Sequence, residues 1–201
     1  MREGAQWSLV GSRMFVALRL EPQIVAQLSS LVDPRRDVDP DVRWASEASW
    51  HVTCAFAADV PAALVDAFAE ALQAVGERTS GLGLRLGGAG CFPHPDAAKA
   101  LWLAVRSVPD EEDLPRLARR VRTSAQRLGI EVAGGRFVGH LTLARTRRRL
   151  AVARWLRVLD AFGSWDFRVE AMELVESHLG RGPARHHVVS TVPFQHLQQR
   201  P

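Results

Sequence analysis

One pentapeptide pattern occurs twice in this chain, as His51-Val52-Thr53-Cys54-Ala55 and as His140-Leu141-Thr142-Leu143-Ala144. Both copies read His-aliphatic-Thr-x-Ala. They stand 89 residues apart, nearly half of a 201-residue chain. With seven histidines and six threonines in the whole sequence, chance would produce such a pair on the order of a few per cent of the time. Both copies lie in segments that read as strands, and a strand feeding a helix follows each. The separation points to two similar halves, related by a pseudo-twofold axis that brings the two copies into one cleft.

Side chains alternate across a strand. His51, Thr53 and Ala55 are therefore expected on one face, with Val52, Cys54 and Phe56 on the other, in the core. The same pattern sets His140, Thr142 and Ala144 against Leu141 and Leu143. A His-x-Thr face is small and polar, the wrong composition for a packed interior. Two imidazoles titrating near neutral pH can be one neutral and one protonated. The neutral ring takes a proton from a nucleophile, and the protonated ring gives one to a leaving oxygen. Two hydroxyls can hydrogen-bond phosphate oxygens as charge shifts in the transition state. His51, His140, Thr53 and Thr142 are accordingly the expected catalytic groups for metal-free phosphoryl chemistry. The bland alternative is half-buried histidines with threonine present for its β-propensity; the matched pair argues against it. Neither histidine has another ligand at usual metal spacing, so neither a metal nor a cofactor is expected. His186 and His187 are adjacent and should face opposite sides. His94, His178 and His196 read as surface residues.

The remaining pattern interleaves strands and helices, giving an α+β or α/β class. Strands are expected at 13–20, 50–56, 82–91, 100–106, 137–145, 167–177 and 186–194. Helices are expected at 22–32, 61–75, 110–128 and 150–162. Residues 1–12 read as an irregular leader, 33–42 as a loop, and 13–201 as one bilobal domain. In the first strand Met14, Val16, Leu18 and Leu20 take one face, and Arg13, Phe15, Ala17 and Arg19 the other. The run Gly87-Gly88-Ala89-Gly90 lacks the Lys-Ser/Thr of a phosphate loop and reads as a twisted or bulged strand. No stretch is long and apolar enough to span a membrane. Two cysteines cannot form a disulfide framework, so a cytoplasmic setting is expected. The net charge of +4 is too small for a dedicated duplex-DNA binder but compatible with a local basic cleft. Twenty-five of the 26 basic residues are arginine, which suits bidentate phosphate binding.

These residues carry a resemblance. The paired motifs are similar to those of the 2H phosphoesterase superfamily, and within it to the RNA 2′,3′-cyclic phosphodiesterases, also called 2′-5′ RNA ligase-like proteins. Arg13-Met14-Phe15-Val16-Ala17 resembles the family's opening strand. Val42-Arg43-Trp44 followed by Trp50-His51-Val52-Thr53 resembles the segment leading into the first motif, Leu101-Trp102-Leu103 the strand before the long helix, and His140-Leu141-Thr142-Leu143-Ala144-Arg145 the second motif. Glu176-Ser177-His178-Leu179 resembles the C-terminal end. The resemblance implies a bilobal α+β fold with two small antiparallel sheets facing a central cleft and helices outside. It implies hydrolysis of 2′,3′-cyclic phosphates on RNA ends or nucleotides to 2′-phosphates; a monomer is the expectation for the chain's own assembly. His51 would protonate the departing O3′ and His140 would activate water. Arg145 would contact the phosphate, although strict alternation points it away from His140. Phe15 would stack on the nucleobase, with core packing as the alternative.

Two positions depart from the family pattern. Arg-Pro often precedes the second histidine, where this chain has Val138-Gly139, leaving Arg136 as a possible replacement charge. The first motif often continues Leu-Gly, where this chain has Ala57-Ala58. Two rival functions follow from the same residues: 2′-5′ RNA ligation at the same site, and an RNA- or nucleotide-binding module that no longer turns over. Arg147-Arg148-Arg149 could line a ligase groove, but such a run more often begins a solvated helix.

Overall fold

The computed structural model describes residues 11–178 and 184–195. Its elements are β1 (Ser12–Leu18), α1 (Pro22–Val32), β2 (Val42–Trp44), β3 (Val52–Val60), α2 (Val65–Gly76), β4 (Leu82–Phe92), β5 (Ala98–Ser107), α3 (Asp113–Arg127), β6 (His140–Leu150), α4 (Ala153–Asp160), β7 (Ser164–Val169), β8 (Ala171–His178) and β9 (Arg185–Pro193). The helices follow from the chain chemistry. Pro22 opens α1, where its missing N–H costs nothing. Asp113 and Arg127 sit in the first and last turns of α3, complementing its dipole. The α3 stripe Leu114, Leu117, Ala118, Val121 and Ala125 is buried, and the Leu114 N–H donates to Ser107 Oγ at 3.0 Å.

The strands form one curled antiparallel sheet in the order β7-β4-β5-β6-β3-β1-β8-β9, with β2 also paired to β6. It consists of two halves, β9-β8-β1-β3 and β6-β5-β4-β7. They meet through the pair Val52–Leu141, the residues that follow the two motif histidines. The halves match in detail. Phe15 opposes Phe56 and Val16 opposes Ala55 in one; Ala100 opposes Arg145 and Leu101 opposes Ala144 in the other. The bilobal α+β architecture is thus as expected, with the two small sheets continuous at the cleft. All four helices contribute to a core against one sheet face, including Leu28, Leu72, Leu117 and Leu159 packed with Leu101 and Leu141. Alternation along β1 holds: Met14, Val16 and Leu18 enter that core, while Phe15 and Ala17 join a small cluster with Val175 and Phe56.

Several local expectations change. The strand expected at 167–177 breaks at Glu170 into β7, which pairs with β4, and β8, which pairs with β1 in the other half. The buried phase moves there from Phe167 and Val169 to Met172 and Leu174. The helix expected from 150 begins only at Ala153, because β6 runs on through Leu150. Arg147–Arg149 are therefore strand residues. β2, inside the expected loop-to-strand stretch, is too short to show a period. The Gly87-Gly88 stretch is a bulge as expected: the β4–β5 register shifts between Leu86 and Ala89, and Gly88 has a φ of 83°. Of the leader, residues 1–10 lie outside the described residues, and Ser12 already belongs to β1. His196 and Leu179 also lie outside them.

Candidate active site

Strand alternation slips at the same place in both motifs. β1 pairs Ala17 with Thr53 and Val16 with Ala55, leaving Cys54 unmatched. β5 pairs Trp102 with Thr142 and Leu101 with Ala144, leaving Leu143 unmatched. Each extra residue is a β-bulge, which turns the following residues to the opposite face. Cys54 and Ala55 are consequently both buried, as are Leu143 and Ala144. Phe56 and Arg145, five residues after the two histidines, both line the cleft. The expectation that Ala55 and Ala144 share the His-x-Thr face, with Phe56 in the core, is corrected by these bulges. The same bulge turns Arg145 toward the cleft, against strict alternation.

The cleft has a volume of about 560 Å³ and draws its walls from both halves. His51, Thr53, His140, Thr142, Arg145 and Phe15 all line it. So do Arg13, Phe56, Ser177 and His186, which the sequence did not single out as site residues. His186 reaches it because it pairs across the β8–β9 ladder with Ser177, a register that single-strand periodicity cannot supply. Arg136 lines a different depression beside α3, so it does not replace the charge missing at 138–139. A second cavity, about 580 Å³, lies between α2 and α3 and touches neither motif. Among the described residues no group of three or more His, Cys, Asp or Glu is gathered as a metal site.

The two motif histidines are held differently. The His51 ring stacks on Phe15, with centroids 4.5 Å apart and planes 17° apart. Its other neighbour is the edge-on His186 ring at 5.7 Å. Phe15 itself is 5% exposed. His51 Nδ1 is buried with no partner in hydrogen-bond geometry among the described residues, leaving Nε2 as the nitrogen open to a ligand. Burial pushes the His51 pKa down to about 4; the Arg19 and His186 charges add to this, and the Ser49 backbone opposes it. His140 has Phe92 edge-on at 5.0 Å and Trp102 at 5.9 Å. Its Nδ1 lies 2.7 Å from the Val138 carbonyl oxygen. A carbonyl only accepts, so this contact places the proton on Nδ1 and the lone pair on Nε2. Burial lowers the His140 pKa, against the Val138 contact, and Arg145 lowers it further. His186 is lowered as well, by burial and then by Arg19.

The three imidazoles of His51, His140 and His186, the hydroxyls of Thr53 and Thr142 and the guanidinium groups of Arg13 and Arg145 share one concave surface, a lining chemically suited to an anionic group and to proton transfer. The sheet topology and these paired motifs define a two-histidine phosphoesterase fold. The model of the 2′-5′ RNA ligase superfamily matches residues 20–181, and this chain belongs to that superfamily. It is 26% identical over 168 residues to an RNA 2′,3′-cyclic phosphodiesterase of Aeropyrum pernix, covering 80% of this chain and 91% of that protein. It is 29% identical over 134 residues to a Geobacillus stearothermophilus protein of the same name, covering 67% of this chain but only 42% of that relative's length. Among solved structures, E. coli LigT complexed with 3′-AMP superposes with a TM-score of 0.71 at 25% identity, covering 91% of this chain and 98% of LigT. A Thermus thermophilus protein, TT0787, superposes at 0.70 with 20% identity, covering 92% and 99%.

Proposed function

We propose that this protein opens 2′,3′-cyclic phosphates on RNA ends or nucleotides, leaving a 2′-phosphate and a free 3′-hydroxyl. The observation that carries this reading is that both His-x-Thr pairs stand on the walls of one cleft. Superfamily membership and the names of the two relatives support the substrate class. His140 is the general base: with Nδ1–H held by the Val138 carbonyl, Nε2 takes a proton from water as the water oxygen bonds to phosphorus. His51 is the general acid and protonates O3′ as the P–O3′ bond breaks. One proton enters His140 and one leaves His51, and exchange with solvent resets the pair. Thr53 and Thr142 donate hydrogen bonds to the non-bridging oxygens, and the Arg145 guanidinium balances their charge. Phe56 gives the cleft an aromatic wall suited to a nucleobase, whereas Phe15, 5% exposed and stacked on His51, fixes the plane of that ring.

His51, with its pKa near 4 in the free protein, becomes an effective acid only when the phosphate arrives. A bound anion favours the imidazolium and raises the pKa. No step requires a metal. The enzyme is read as a cytosolic monomer; Cys54 and Cys91 are free thiols, and no described helix is long and apolar enough to cross a membrane. The test is incubation of a short RNA ending in a 2′,3′-cyclic phosphate, with EDTA present and the product read by phosphorus NMR. A 2′-phosphate is expected. A 3′-phosphate, or no turnover, would overturn the reading.

A further inference from the structure

Past Arg145, β6 continues as Thr146-Arg147-Arg148-Arg149-Leu150. β2 lies against this stretch. Arg43 stands directly across from Arg145, Val42 across from Thr146, and the Arg147 N–H donates to the Asp41 carbonyl at 2.9 Å. Cross-strand partners share a face, as do alternate residues of one strand. Arg43, Arg145 and Arg147 therefore stand on one side of the β2–β6 ribbon. Arg145 lines the cleft, as does Ala45, two residues on from Arg43; Arg43 and Arg147 are not part of that lining, so the ribbon leads away from the cleft at Arg145. The other side is occupied differently: Trp44 Nε1 donates to the Arg35 carbonyl at 3.1 Å and Thr146 Oγ1 to the Ala98 carbonyl at 2.8 Å.

All three arginines are exposed. Among the described residues none of them has a carboxylate within ion-pair distance, whereas their neighbour Arg148 pairs with Asp41 at 2.7 Å. Like charges directly opposite each other destabilise a sheet pair, so the Arg43–Arg145 juxtaposition costs the fold something unless an anion bridges it. Arg145 and Arg147 are two strand residues apart, about 6.8 Å, close to the repeat of an extended polynucleotide backbone. We propose that this ribbon is the track for the RNA chain leading into the cleft, with Arg43 and Arg147 contacting phosphates on the 5′ side of the cyclic phosphate. The proposal rests on the cyclic phosphodiesterase reading and sharpens it: the preferred substrate is an oligonucleotide, because a cyclic mononucleotide has no phosphate for the track to hold.

The test uses Arg43→Gln/Arg147→Gln and two readouts. The first is affinity for a hexanucleotide RNA ending in 2′,3′-cyclic phosphate, by fluorescence anisotropy on a His140→Ala background so that the RNA is not consumed. The second is turnover of uridine 2′,3′-cyclic phosphate with both histidines present. The double substitution is expected to weaken hexanucleotide binding by roughly tenfold or more and to flatten its salt dependence, with mononucleotide turnover unchanged. Unchanged hexanucleotide affinity would overturn the track. An equal loss on both substrates would overturn it too, showing general damage to the cleft. If the unsubstituted protein turns over neither uridine 2′,3′-cyclic phosphate nor, assayed alongside with both histidines present, the hexanucleotide, the hydrolase reading fails, and the hexanucleotide affinity alone still decides whether the track exists.

Discussion

His51 and His140 differ in what touches them, and that difference sets the pH behaviour. Both imidazoles are pushed below their ordinary value of 6.5, His51 to about 4. kcat/KM reports the free protein, so its bell should have both limbs below pH 6.5. kcat reports the bound state, where the phosphate charge raises the His51 pKa, so its falling limb should lie at higher pH. Superimposable profiles for the two parameters would contradict a substrate-charged acid. The threonines carry a separate prediction. Thr53→Val and Thr142→Val keep the shape and remove the hydroxyl. Each should lower kcat by about a hundredfold, on the scale of losing one transition-state donor, with thermal stability little changed. Steady-state kinetics beside a melting curve checks both halves of that statement.

At the scale of elements, the bulges at Cys54 and Leu143 turn Phe56 and Arg145 into the cleft. The repeated motif made the pseudo-twofold arrangement legible in the sequence, along with four of the six cleft residues expected. The bulges were not legible, since Cys54 and Leu143 are ordinary strand residues and an extra residue appears only against its partner strand. Arg145 is expected in the cleft only by resemblance, and strict alternation puts Phe56 on the wrong face. His186 depended on the β8–β9 register, and the split at Glu170 on which half each strand joins. β4 supports the second motif through Gly90, which lies opposite Trp102. A Cβ at Gly90 would fall 2.0 Å from the Trp102 ring, and that ring packs near His140. Gly90→Ala should therefore displace Trp102, cost about 1–3 kcal/mol of stability by overpacking, and lower kcat. An unchanged melting temperature and kcat would show that Trp102 does not support His140.

For the whole molecule, the half-buried His51 couples folding to pH. Its folded pKa of about 4 lies below the ordinary value of 6.5, so as pH falls below 6.5 the unfolded chain binds a proton that the folded chain refuses. Stability is therefore lost with falling pH, by about 2 kcal/mol between pH 7 and 5 for this residue alone. Denaturant unfolding at the two pH values should show that loss, and His51→Gln should remove most of it. The two halves of the sheet meet at Val52–Leu141, so each half supplies one of the two histidines of the proposed acid–base pair. The most direct measurement is a double-mutant cycle on turnover of an RNA 2′,3′-cyclic phosphate, with His51→Ala, His140→Ala and the combined variant. If the two imidazoles act as one device, each single substitution removes activity by a thousandfold or more, and the second adds almost nothing. Losses that multiply, or a single variant that keeps most of its activity, would contradict a shared two-histidine mechanism.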